Sequence, residues 1–214
     1  MSFEEHNLVQ MLSDTKTYSS VEDFPKLTEN GFEVIDLPKD AWDLIKELYE
    51  DAKKLTPTEE DWGSKESPSQ IYSELFFLDE LPEKRDRLYP ILQPIHEEWS
   101  GEKLDPAAIY GIRSYLTNSR LHQHKDRLES HHVSSIILVD KDLSIPGLED
   151  EYADDWGLDI QAHDGSWHRV FLQPGQAVLY ESSTCSHGRD EVFEGTFYRN
   201  CFVHFNLRHW EHVE

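Results

Sequence analysis

The stretch Tyr115-Leu116-Thr117-Asn118-Ser119-Arg120-Leu121-His122-Gln123-His124-Lys125-Asp126-Arg127 decides how this chain is read, because it sets histidines and a carboxylate at alternate positions ahead of an apolar run. As a strand it puts residues 122, 124 and 126 on one face. An imidazole and a carboxylate two residues apart on a rigid strand supply two contacts of a facial metal triad, in which two histidines and one carboxylate leave coordination positions open. The third contact has to come from a distant strand. His187, in Thr184-Cys185-Ser186-His187-Gly188-Arg189, is the best candidate, since it follows the strand-like Gln176-Ala177-Val178-Leu179-Tyr180-Glu181.

Outward from these motifs the chain after about residue 108 is a series of short strand-like runs: 109–116, 133–139, 158–161, 168–172, 177–181 and 197–205. Asp164-Gly165 and Pro174-Gly175 mark tight turns among them. Many short strands at this spacing imply a mainly β sandwich or barrel. Upstream, residues 31–37 read as a strand closed by Pro38. A helix then starts near Asp40 with Trp42, Leu44, Ile45, Leu48, Tyr49 and Ala52 on one face. A second helix carries Leu88, Leu92, Ile95 and Trp99 toward a stop at Gly101. Residues 56–70 and the acidic insertion 141–156 read as loops or lids. The chain is thus expected to be one domain, 1–214, with a helical support region at 1–108 and a barrel core at 109–206.

Asp and Glu number 43 against 20 Lys and Arg, a formal net charge of −23. That field repels phosphate backbones and anionic bilayers, and no basic run offsets it, so neither nucleic acid nor membrane is expected as a partner. It favours neutral or basic substrates. The opening Met1-Ser2-Phe3-Glu4-Glu5-His6-Asn7 has no signal-peptide pattern, which makes the cytoplasm the expected compartment. Cys185 and Cys201 are the two thiols, so no disulfide framework is implied.

Six segments together resemble the iron(II)- and 2-oxoglutarate-dependent oxygenases, most closely the prolyl 4-hydroxylase-like branch. They are Gly111-Ile112-Arg113-Ser114-Tyr115, His124-Lys125-Asp126-Arg127, Val133 to Asp140, Pro174 to Ser182, His187-Gly188-Arg189 and Asn200 to Phe205. The resemblance spans roughly residues 109 to 206. It implies a double-stranded β-helix, or jelly roll, with N-terminal helices packed outside the barrel. It also implies iron(II) held by His124, Asp126 and His187, with 2-oxoglutarate and O2 as co-reactants. The implied activity is hydroxylation of a C–H bond in a peptidyl proline, another protein side chain or a small molecule.

Two other readings keep the barrel. His122, His124, Glu129 and His187 have the ligand order of a cupin-type metal site, although residue 116 is Leu where that pattern has glycine, and Asp126 would then have no role. The second rival is a jelly-roll binding module without turnover, against which every oxygenase ligand is present. Within the oxygenase reading His122 has a supporting role, and His131, His132 and His204 are structural.

The far carboxylate of 2-oxoglutarate needs a fixed cation once out of water. The family's Lys or Arg about ten residues after the second histidine is missing here, where Thr196 and Phe197 stand. Alternation on the last strand puts Phe197, Arg199, Cys201, Val203 and Phe205 on its more apolar face, taken as the barrel interior, which nominates Arg199. A register slip of one residue would hand the role to Arg189. Tyr115 resembles the tyrosine that lines the cosubstrate site in relatives.

Overall fold

The computed structural model describes residues 16–62 and 71–212. Strand β1 (Lys16–Tyr18) leads to β2 (Phe32–Asp36) and helix α1 (Lys39–Ala52). The hairpin of β3 (Thr58–Trp62) and β4 (Ile71–Phe77) follows, then a helical turn Pro82–Arg85 and helix α2 (Tyr89–Ser100). The remaining strands are β5 (Leu104–Ala108), β6 (Gly111–Leu116), β7 (Leu121–His124), β8 (Val133–Asp142), β9 (Leu158–Gln161), β10 (Trp167–Val170), β11 (Gln176–Tyr180), β12 (His187–Arg189), β13 (Phe197–Leu207) and β14 (Trp210–His212).

Two antiparallel sheets face each other as a jelly roll. The larger runs β2-β11-β8-β13-β6-β4-β3, with β5 pairing the far end of β13, and the smaller runs β10-β9-β12-β7. Short β1 and β14 pair in parallel beside them. The region before residue 109 is therefore more than helical support, because β2, β3 and β4 widen the large sheet at both edges. Strand β3 falls within the stretch read as a loop at 56–70, and its Thr-Glu-Glu-Asp-Trp sequence carries little strand propensity of its own. Pairing with the more apolar β4 stabilises it. Residues 63–70 of that stretch lie outside the described residues.

The edge strand β2 is largely exposed, but the centre of the large sheet is buried on both faces, so Val133 to Val139 is buried throughout. Its outer face packs Ile112, Ile137, Ala177, Cys201, Val203 and Phe205 against Leu44, Ile45 and Leu48 of α1 and Leu92 of α2. Its inner face turns Tyr115, Ile136, Leu138, Val178, Tyr180 and Tyr198 toward Leu158 and Ile160 of the small sheet. Helix α1 begins at Lys39, one residue before the expected start near Asp40, and keeps Asp40 in the first turn, where a negative charge suits the helix dipole. Helix α2 ends at Gly101, whose φ of 72° is the left-handed conformation that glycine adopts without a Cβ penalty. No helix among the described residues is long and apolar enough to cross a membrane.

Candidate metal centre

Strands β7 and β12 run antiparallel with His124 directly opposite His187. Gly188 makes that approach feasible: a Cβ there would lie 2.8 Å from the Gln123 backbone, so any side chain would push the two histidine strands apart. Regular strand structure stops at His124, and Asp126 sits in the turn beyond it, tied by its backbone N–H to the Ser182 carbonyl at 2.9 Å. The alternation read for positions 122, 124 and 126 therefore reaches its last member through a turn.

One ligand atom each from His124, Asp126 and His187 lies within 4.8 Å of the others. Asp126 Oδ1 is 3.7 Å from His124 Nε2 and 3.8 Å from His187 Nε2. Each imidazole is oriented from behind. His124 Nδ1 donates to the His122 carbonyl at 3.0 Å and His187 Nδ1 to the Cys185 carbonyl at 3.0 Å, which fixes the tautomer that leaves Nε2 as a lone-pair donor. Burial, with His124 adding to it, pushes the His187 imidazole down to about 4 against the opposing pull of Asp126, so the ring is neutral near pH 7. The other Asp126 oxygen accepts from the Tyr180 hydroxyl at 3.3 Å. Two imidazoles and a carboxylate on one side of a cavity form a donor set that fits iron(II).

The alternative set of His122, His124, Glu129 and His187 is not brought together among the described residues. His122 Nδ1 donates to Asp190 at 2.8 Å, and its contribution to the centre is the backbone carbonyl that orients His124.

A cavity of about 550 Å³ opens beside the triad. Its walls include Tyr115, Arg189 and Asn200, while Arg199 lies outside it. On β13 the cavity side is the even-numbered face, with Asn200, Phe202 and His204, opposite to the face read from apolarity. The apolar odd face packs against the helices. There Arg199 sits over Phe197, donates to Tyr49 and to Ser114, and stands 3.7 Å from Asp140. Arg189 instead is buried between the rings of Trp156 and Tyr198, at 4.9 and 4.6 Å. It donates through Nη1 to the Trp156 carbonyl, and its Nη2 has no partner. Both amide atoms of Asn200 are likewise buried without partners. A guanidinium and an amide left open in one cavity fit a carboxylate such as that of 2-oxoglutarate.

Two histidines taken as structural also border this space. His204 lies 3.9 Å from Asp126, bonds Ser134 through Nδ1 at 2.7 Å and packs at a tilt against His131, ring centres 4.0 Å apart. His132 fits its structural reading: it bonds Tyr18, and its Nδ1 accepts from the Leu207 backbone N–H at 2.9 Å. The signal that was available for the cavity face is polarity: Asn200 and His204 are four apart on one face of a largely apolar strand, and both are buried, which marks a site.

No family model matches the sequence, and no curated protein matches it. Solved structures do. A 2OG-Fe(II) oxygenase family oxidoreductase from Burkholderia pseudomallei aligns at TM-score 0.57 and 14% identity, covering 82% of this chain and 85% of that one. The non-heme alpha ketoglutarate dependent carbocyclase SnoK of nogalamycin biosynthesis aligns at 0.55 and 14%, covering 87% and 85%. The chain has the fold of the iron(II)- and 2-oxoglutarate-dependent oxygenases. Prolyl hydroxylases share this oxygenase fold: the enzyme of Trichoplax adhaerens, solved in complex with a hypoxia inducible factor peptide fragment, aligns at 0.54 and 10%, covering 97% of this chain and 94% of that one.

Proposed function

We propose that this protein is an iron(II)- and 2-oxoglutarate-dependent dioxygenase that hydroxylates a C–H bond of a peptide or small-molecule substrate. The observation that carries the reading is the pairing, in one cavity, of a His124, Asp126, His187 donor set with a buried guanidinium, Arg189, whose Nη2 is unpartnered. When bound, iron(II) and 2-oxoglutarate supply the oxidation, in which 2-oxoglutarate and O2 yield succinate, carbon dioxide and one oxygen atom for the substrate carbon.

The chain's own residues have definable tasks in that reaction. His124 and His187 present Nε2 lone pairs because backbone carbonyls hold their Nδ1 protons. Asp126 supplies the anionic ligand, while Tyr180 occupies its second oxygen and restricts its rotation. Arg189 takes the far carboxylate of 2-oxoglutarate, with Asn200 and Tyr115 beside it, and Arg199 has a structural task on the outer face. Leu121, Ile136 and Leu158 line the same cavity and keep bulk water from the reacting centre. The peptide held by the Trichoplax enzyme supports the peptide option. Aerobic incubation with iron(II) and 2-oxoglutarate tests the reaction: iron-dependent release of succinate supports it, and intact 2-oxoglutarate with a correctly loaded metal contradicts it.

A further inference from the structure

The charge of the cavity runs against the charge of the chain. Acids outnumber bases 43 to 20 overall, yet the cavity's permanently charged lining is Arg113, Lys125, Arg127 and Arg189 against Asp126 alone. Two of the four cations have assigned counterions. Arg113 is held by Glu60 through two hydrogen bonds, of 2.8 and 3.1 Å. Arg189 is matched by the cosubstrate carboxylate in the reading above. Lys125 and Arg127 remain: both are exposed at the cavity, and neither has an ion-pair partner among the described residues.

We propose that Lys125 and Arg127 form a recognition site for an acidic group on the primary substrate, a carboxylate or a phosphate carried on an apolar body. The proposal rests on the oxygenase reading and adds the chemical class of the molecule oxidised. Both cations flank Asp126 in sequence, and consecutive Cα atoms are about 3.8 Å apart, so the acid is held within about 10 Å of the metal ligands. The rest of the molecule has a surface to lie on. Ile71, Leu75 and Phe77, spaced by two or four along β4, share one strand face and line the same cavity. A cavity of about 550 Å³ is of small-ligand size, which favours a compact amphipathic acid over a long polymer. The acidic exterior then acts as a filter that repels polyanions, while the local cations accept a single acid group.

The test uses the full chain loaded with Mn(II) and 2-oxoglutarate without oxygen, titrated calorimetrically with octanoate, octyl phosphate and octylamine. The two acids are expected to bind and the amine is not. In a Lys125→Ala, Arg127→Ala double variant the acids should lose about tenfold in affinity while Mn(II) and 2-oxoglutarate affinities stay as in the parent. Raising the salt concentration should narrow the difference. Octylamine binding as well as the acids, no acid binding to the loaded parent, or an unchanged acid affinity in the double variant would each overturn the proposal. Failure of the parent to take up Mn(II) and 2-oxoglutarate is a different result. It would overturn the oxygenase reading, and this proposal with it.

Discussion

The two faces of β13 are built from neighbouring residues and serve opposite ends. The outer face, Cys201, Val203 and Phe205, is apolar, fully buried and packed against the helices. The inner face carries Asn200 and His204, both buried, and lines a cavity in which the Asn200 amide has no partner. In a barrel that binds a polar ligand, the more apolar strand face marks the supporting layer and the less apolar one the interior. Stability is invested in one face and binding in the other, which also separates Arg199, satisfied among protein groups, from Arg189, left with an open N–H.

The largest expected effect tests the outer face. Phe205→Ala should cost about 3–5 kcal/mol of stability in urea denaturation, as a large buried ring is lost without collapse of its surroundings. A loss below 1 kcal/mol would remove the distinction between the faces.

Acid should act on the same layer. His96 is buried, contacts Phe205 at 4.7 Å between ring centres, and burial pushes its imidazole down to about 4. Below its unfolded value near 6.5 the unfolded chain binds a proton that the folded chain refuses, so stability falls as pH drops from 6.5 toward 4. For this one residue the loss at pH 4 amounts to at most about 3 kcal/mol. Melting temperatures of His96→Phe should decline less over that window than those of the parent, and parallel declines would contradict the assignment.

The contrast between the arginines predicts a split in binding. Arg189→Ala should weaken 2-oxoglutarate about a hundredfold, the equivalent of about 2.7 kcal/mol for a charge-assisted pair, whereas Arg199→Ala should leave it within about threefold. The reverse pattern would restore Arg199 as the anchor. A smaller effect sharpens the same comparison. Asn200→Leu removes two unsatisfied buried atoms, so stability should hold or rise by about 1 kcal/mol while 2-oxoglutarate binds less well. A large loss of stability would show that the amide is satisfied within the protein.

Much of the jelly roll was legible in the sequence because its strands are short runs, largely apolar at 133–139 and alternating at 158–161, bounded by turn residues. The candidate triad was legible through spacing and order, although Asp126 lies past the end of β7. What escaped detection was which face of β13 turns inward, and which strands pair. Alternation along β13 holds, but its apolar face meets the helices, and Asn200 and His204 mark the cavity side. Strand β3 is polar and takes its form from β4, while Trp156, inside a stretch read as an acidic loop, is buried with its indole N–H on the Glu191 carbonyl at 2.8 Å. The cationic rim was hidden by averaging, since a net charge says nothing about which few residues line a cavity.

The central claim is that His124, Asp126 and His187 hold one metal ion, and metal stoichiometry tests it most directly. Anaerobic iron(II) titration of the parent and of five alanine variants, at positions 124, 126, 187, 122 and 129, should show one ion per chain in the parent and in His122→Ala and Glu129→Ala. Binding should be weakened at least about tenfold in the other three. Retention of tight binding in those three, with loss in His122→Ala or Glu129→Ala, would contradict the account and place the metal on the cupin-type set.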